Sequence, residues 1–262
     1  MGEDRNIIII GHPEREKWQL EIDNKEYEIS CDKIKCKEEN EDPFIWNDNF
    51  FYTFCHSNDS LSKGVRDLIE NQNEEVYFVF VAKAGIDNTK NEESILEIDT
   101  IIKAKELFEW PEKGKRNKDS LPKKFNKRII ECHLPDLDNG NLTEHNRKKL
   151  FTCIGDEEES FLPMKKYKEN GPFVPYRLSK DISEKIWELI TANGTNRYYV
   201  AKETSPRIKD GKIDTFKGVS KIISKIIDMY NEPVKDERLS KLIGKQLKDF
   251  YKEFREKKGL DL

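Results

Sequence analysis

Glu75-Val76-Tyr77-Phe78-Val79-Phe80-Val81-Ala82-Lys83 is the stretch whose reading decides the fold. From Val76 to Ala82 the run is apolar at every position, so a strand built from it is covered on both faces and central in its sheet. Such a run is short for a helix, and its valines and aromatics favour a sheet. Ile95-Leu96-Glu97-Ile98-Asp99-Thr100-Ile101-Ile102-Lys103 follows as a second strand, expected over Leu96–Ala104. Gly85, Asn88 and Asn91 punctuate the connection, as they do in loops between paired strands.

Outward from this pair, Asn6–Ile10 reads as a short buried strand stopped by Gly11-His12-Pro13. Trp18, Leu20 and Ile22 alternate with charges, as do Tyr27, Ile29 and Cys31, and Asp23-Asn24 between them reads as a hairpin turn. Phe50–Cys55 has the look of a strand. Leu61, Val65, Leu68 and Ile69 have helical spacing and lead into Val76. Glu106–Lys127 is polar, with Pro111 and Pro122, and is expected to form a long loop. Arg128–Leu134 suits another strand and Leu142–Phe151 a short helix. Phe161–Tyr176 carries three prolines and Gly171, and reads as irregular. A helix is expected from Ser179, with Ile182, Ile186, Leu189 and Ile190 on one face and Gly194 ending it. Tyr198–Ala201 is expected to be the last strand. Val219, Ile222, Ile223, Ile226, Ile227 and Tyr230 then repeat at helical spacing. So do Leu239, Leu242, Ile243, Leu247, Phe250, Tyr251 and Phe254, after a break at Asn231–Pro233.

The expected architecture is therefore α+β. A small mixed, largely antiparallel curved sheet with flanking helices occupies residues 1–205, and a C-terminal helical hairpin packs on it from residues 206–262. The length of 262 residues suits one large domain or one and a half. Charged residues are 37% of the chain, yet the net charge is only −4, so attraction to nucleic acid must come from a local basic face. Five cysteines (Cys31, Cys36, Cys55, Cys132 and Cys153) are an odd number without repeated spacing, which favours reduced thiols and a cytoplasmic location. The start of the chain is too acidic for a signal peptide, and no apolar run approaches the ~20 residues of a membrane span.

Two stretches offer binding chemistry. Phe44–Phe54 places six aromatics within eleven residues, among them Trp46 and Tyr52. Flat rings stack on bases, although clustered aromatics equally suit a core strand. Lys113–Arg128 carries eight lysines and arginines against one acid, Asp119. Lys113, Lys115, Arg116, Lys123, Lys124, Lys127 and Arg128 are its candidate phosphate contacts, against the plainer reading of a solvated loop.

Metal and cofactor chemistry finds little support. A metal nuclease of the PD-(D/E)xK kind needs an acid where Val81 precedes Ala82-Lys83 and where Val200 precedes Ala201-Lys202. His12, His56, His133 and His145 lack metal-ligand spacing, and Cys31 with Cys36 is a single isolated pair. Nucleotide-binding glycine motifs and nucleophile elbows are missing, so neither a metal nor a cofactor is expected.

Asp42-Pro43-Phe44, Phe51-Tyr52-Thr53-Phe54-Cys55, the helix at Leu61–Ile69, the strand Val76–Ala82 and Ile98-Asp99-Thr100-Ile101-Ile102 together resemble the PUA-like superfamily. Within it they are most similar to the nucleotide modification associated domains, with the EVE and ASCH groups as further kin. Ser160-Phe161-Leu162-Pro163 resembles another feature of those domains. The resemblance covers about residues 42–201 and implies a small barrel whose mouth accepts a base, often a modified one. The lysine-rich insert at Lys113–Arg128 is longer than the family pattern, and no catalytic signature accompanies it. Three functions follow as expectations. The first is a module binding DNA, RNA or a modified nucleotide. The second is an enzyme on such substrates with Asp99, His56 or Glu203 as acid or base. The third is a protein-interaction module using the C-terminal hairpin.

Overall fold

The computed structural model describes residues 5–11, 16–22, 24–31, 50–53, 59–83, 95–111, 120–125, 130, 151–160, 176–192, 198–201, 208–209, 212–213, 216–231 and 249. Its strands are β1 (Asn6–Gly11), β2 (Glu16–Ile22), β3 (Lys25–Cys31), β4 (Phe51–Thr53), β5 (Val76–Lys83), β6 (Leu96–Glu109), β7 (Phe151–Gly155), β8 (Tyr176–Arg177), β9 (Tyr198–Ala201), β10 (Ile208–Lys209) and β11 (Lys212–Ile213). The helices among the described residues are α1 (Asp59–Arg66), which continues as a π-helical turn over Asp67–Asn71, α2 (Lys180–Ala192) and α3 (Phe216–Asn231).

The architecture is mixed α+β. Seven strands form one sheet, in the order β4-β7-β6-β5-β1-β9 with β8 also on β6. The expected central strand is central: β5 lies between β1, parallel to it, and β6, antiparallel to it. The other pairings in the sheet are antiparallel. β2 and β3 form the expected hairpin, and Asn24 at its turn has φ of 61°, a conformation asparagine tolerates better than most residues.

Both faces of β5 are buried. Tyr77, Val79 and Val81 share one core with Ile7, Ile9, Ile98 and Ile101, and α2 and α3 cover it with Ile186, Ile190, Ile223, Ile226 and Ile227. On the opposite face Phe78 and Phe80 meet Tyr52, with ring centroids 5.4 and 5.2 Å away. That contact reports the shape of the sheet. Tyr52 lies on β4, three places from β5, and in a flat sheet three strand spacings put the backbones ~14 Å apart. Ring contact at this separation needs the sheet to curl, although no pairing closes it among the described residues.

Two bulges in β6 supply the bend. Thr100 opposes Phe80 while Ile98 opposes Val81, so Asp99 is an extra residue. Ala104 opposes Gly155 while Glu106 opposes Ile154, so Lys105 is a second. An extra residue bends and twists its strand. Gly155 sits opposite Ala104, beside the second bulge. A Cβ added there would lie 2.7 Å from Ile102 Cγ2, 2.8 Å from Phe50 Cβ and 2.8 Å from Ser160 Oγ.

Some expectations need correction. β6 continues to Glu109 where a polar loop is expected from Glu106, because the bulge at Lys105 breaks the alternation that marks a strand. Phe151 opens β7 rather than closing a helix; a segment of five residues is too short to distinguish the two by pattern. Tyr198–Ala201 is a strand, but β10 and β11 follow it. The expected elements at Arg128–Leu134, Leu142–Leu150 and Leu239–Phe254 lie outside the described residues, apart from isolated positions. Among the described residues no helix is long and apolar enough to cross a membrane.

Candidate nucleic-acid interface

The basic segment enters the described structure as a tight turn, Pro122-Lys123-Lys124-Phe125, closed by the Phe125 N–H donating to the Pro122 carbonyl at 2.9 Å. Lys123 is exposed and Lys124 half-buried, while Phe125 is 6% exposed. An aromatic side chain amid lysines turns inward, because water excluded from its ring stabilises the burial by ~2 kcal/mol. Its neighbours define an aromatic cluster. Phe125 meets Phe51 edge-on at 5.2 Å, meets Phe108 edge-on at 5.3 Å, and stacks on Trp110 at 5.5 Å.

Polar atoms inside the cluster are matched. The Trp110 indole N–H donates to Thr152 Oγ1 at 2.7 Å, and the Thr152 and Thr53 hydroxyls hydrogen-bond at 2.8 Å. An unmatched indole or hydroxyl at this depth would cost ~1–3 kcal/mol, so the pairing fixes how β4, β6 and β7 meet. At the same end, the Arg66 guanidinium lies 4.4 Å from the centre of the Phe151 ring and donates to Glu109 Oε2 at 3.0 Å.

The basic segment meets the aromatic run through Phe125 and Phe51, and not through the candidate Tyr52. Lys123 and Lys124 are carried by Phe125 to Phe51, which belongs to the aromatic run. Tyr52 is 6% exposed, with its ring against Phe78 and Phe80; it takes the core position weighed against base stacking. Asp99 is the extra residue of the first β6 bulge. Trp46, Lys113, Lys115, Arg116, Lys127, Arg128, His56 and Glu203 lie outside the described residues. Sequence reading passed over Phe125, Trp110 and Arg66. The one signal for Phe125 was a lone aromatic inside a basic run.

A second polar cluster lies on the helix-covered face. Lys103 Nζ pairs with Glu75 Oε1 at 2.5 Å and with Glu159; the Tyr77 hydroxyl donates to Glu75 Oε2 at 3.3 Å. Arg5 donates to Asp228 Oδ1 at 2.6 Å and to the Ser224 carbonyl at 3.2 Å, joining β1 to α3. Partial burial works against the charge on Glu75, but the Lys103 hydrogen bond and charge outweigh it and hold the carboxyl below its ordinary range. Burial likewise opposes the charge on Lys103, and the Glu159 and Glu75 bonds overcome it, so its ammonium is held above the usual lysine range. Burial pushes the Tyr77 phenol up. Each shift moves the titration of its group further from pH 7. This network holds charge in place and is poorly suited to passing protons near pH 7.

Among the described residues no cluster of three or more His, Cys, Asp or Glu side chains could hold a metal. No protein-family model, curated protein or solved structure matches the chain.

Proposed function

We propose that the chain is a nucleic-acid or modified-nucleotide binding module of the PUA-like kind. In this reading the curled sheet is the frame of a small PUA-like barrel, and the basic segment around Lys123 and Lys124 holds phosphates at its rim. The single observation that carries the proposal is the contact between Phe51 and Phe125. It joins the two stretches with binding chemistry, which stand far apart in the chain. Burial assigns Tyr52 to the core, so base stacking falls to Trp46 in this proposal. The test is direct binding of single- and double-stranded DNA and RNA, unmodified and base-modified, at ~50 mM salt, where phosphate contacts are strong. Binding that weakens steeply with added salt supports the proposal. No binding by any of these probes overturns it.

An enzymatic reading has one specific observation in its favour. Asp99 is the extra residue of a bulge, a feature that often re-aims a side chain beside an active site. Next to it, the buried Thr100 hydroxyl has no hydrogen-bond partner among the described residues. Turnover of a nucleotide or oligonucleotide by the parent, abolished in Asp99→Asn, would support this reading; unchanged turnover in Asp99→Asn would exclude Asp99 as its acid or base.

A further inference from the structure

Thr100 carries a polar group that the fold leaves unused. The residue is 0% exposed, and its hydroxyl has no hydrogen-bond partner among the described residues. Arg66 Nε is in the same condition, but its side chain is about a third exposed and water is close at hand. A buried hydroxyl without a partner destabilises a fold, and valine would fill the same space without that loss. Groups that the free protein leaves unsatisfied are a mark of positions kept for a ligand.

Strand register places the hydroxyl. Thr100 stands opposite Phe80, and Glu97 stands opposite Ala82. Residues directly opposite share a face of the sheet, as do residues two apart on one strand. Thr100, Phe80, Ala82 and Glu97 therefore share the inner face of the curl, where Tyr52 packs on Phe80. On a regular strand, residues three apart face opposite sides; the extra residue Asp99 turns Glu97 and Thr100 the same way. They are one same-face step, about 7 Å, apart. Arg177 on β8 stands opposite Glu97 and donates to its Oε1 at 2.7 Å. The Arg177 side chain is 60% exposed and that of Glu97 4%, so the order from solvent inward is Arg177, Glu97, Thr100. Beside this step Ala82 offers only a methyl group, where Phe80 offers a ring.

We propose that Thr100 is the specificity contact of a base-binding site on the inner face of the curled sheet, approached past Arg177 and Glu97, where its hydroxyl bonds the polar edge of a nucleobase. A hydroxyl donates and accepts, so it can meet an amino or a carbonyl group of a base. The inference rests on the nucleic-acid-binding reading and adds to it a place for the base edge, distinct in chemistry from the phosphate contacts at Lys123 and Lys124.

Its test uses the full chain and a mixed-sequence single-stranded oligonucleotide at ~50 mM salt. Thr100→Val keeps the shape of the side chain and removes the hydroxyl. It should raise Tm by a few degrees, because no hydrogen bond within the protein is broken. It should also weaken binding about fivefold to tenfold, the effect of one hydrogen bond to the ligand. The salt slope should stay at the parent's value, since the hydroxyl neutralises no phosphate. Thr100→Ser keeps the oxygen and should recover most of the lost binding, even with a lower Tm. Gains in stability with losses in binding are not what a damaged fold produces. If Thr100→Val binds like the parent while Lys123→Ser/Lys124→Ser binds more weakly, the inference is overturned and the binding reading stands. A lower Tm for Thr100→Val overturns the inference too, because the hydroxyl would then serve the fold. So does a serine variant that binds as weakly as the valine one, because packing and not the oxygen would be what matters. Absence of binding by the parent overturns both the inference and the reading beneath it.

Discussion

Phe125 meets Phe51 edge-on, with ring centroids 5.2 Å apart and planes at 73°. A residue from the most basic stretch of the chain is thereby built into the aromatic core of β4, β6 and β7. Phe125→Ala should destabilise the protein by ~3 kcal/mol, from reduced burial and the cavity left behind. Urea unfolding measures this. At a temperature where the variant is still folded, oligonucleotide binding should also fall, because the turn carrying Lys123 and Lys124 loses its anchor. Parent-like stability would mean that Phe125 does not hold the turn.

Phe80 is 1% exposed on the central strand and packs against Tyr52. Phe80→Ala should cost ~3–5 kcal/mol, a large part of the stability of an ordinary domain. A melting temperature within a degree or two of the parent would be incompatible with β5 covered on both faces.

Replacing Lys123 and Lys124 with serine should weaken binding to all sequences alike and flatten its salt dependence, since a protein that neutralises fewer phosphates releases fewer counterions. Trp46→Ala should weaken binding with little change in slope, because stacking displaces no counterions. Two variants that differ only in overall loss, with equal slopes, would contradict this division of roles.

The Glu75–Lys103 pair predicts a pH window. Glu75 is held below its unfolded value, so its contribution is present above an unfolded pKa of about 4.3 and is lost as pH falls through the folded value. Lys103 is held above its unfolded value, so its contribution is present below about 10.4 and is lost as pH rises through the folded value. Glu75→Gln should therefore flatten the acid limb of a stability-against-pH curve measured by chemical denaturation. An acid limb as steep as the parent's would assign the loss to other carboxylates.

Cys153 is fully buried on β7, and burial pushes its thiol far above the ordinary range. The thiolate is the reactive form, so Cys153 should resist iodoacetamide in the native protein and react on unfolding. Peptide-resolved mass spectrometry distinguishes it from the other four cysteines. Rapid native labelling at Cys153 would show that β7 opens readily.

Local pattern alone determined a good deal of this fold. The uninterrupted apolar run from Val76 to Ala82 made β5 central, because only a strand covered on both faces tolerates such a run. Strict alternation marked the β2–β3 hairpin, and helical spacing marked α2 and α3, with boundaries close to those observed. Tertiary structure decided what local pattern carries no record of. The parallel pairing of β1 with β5 depends on chain path, and the curl that brings Tyr52 to Phe78 depends on bulges at Asp99 and Lys105 that break the periodicity on which strand reading relies. The candidate site divides in the same way. Charge density singled out Lys123 and Lys124, and composition singled out the aromatic run. Whether an aromatic ring faces a ligand or the core is set by neighbours distant in sequence: Phe78 and Phe80 enclose Tyr52, and Phe51 with Trp110 draws Phe125 inward. Side-chain burial is a property of the assembled sheet, and no single stretch of the chain encodes it.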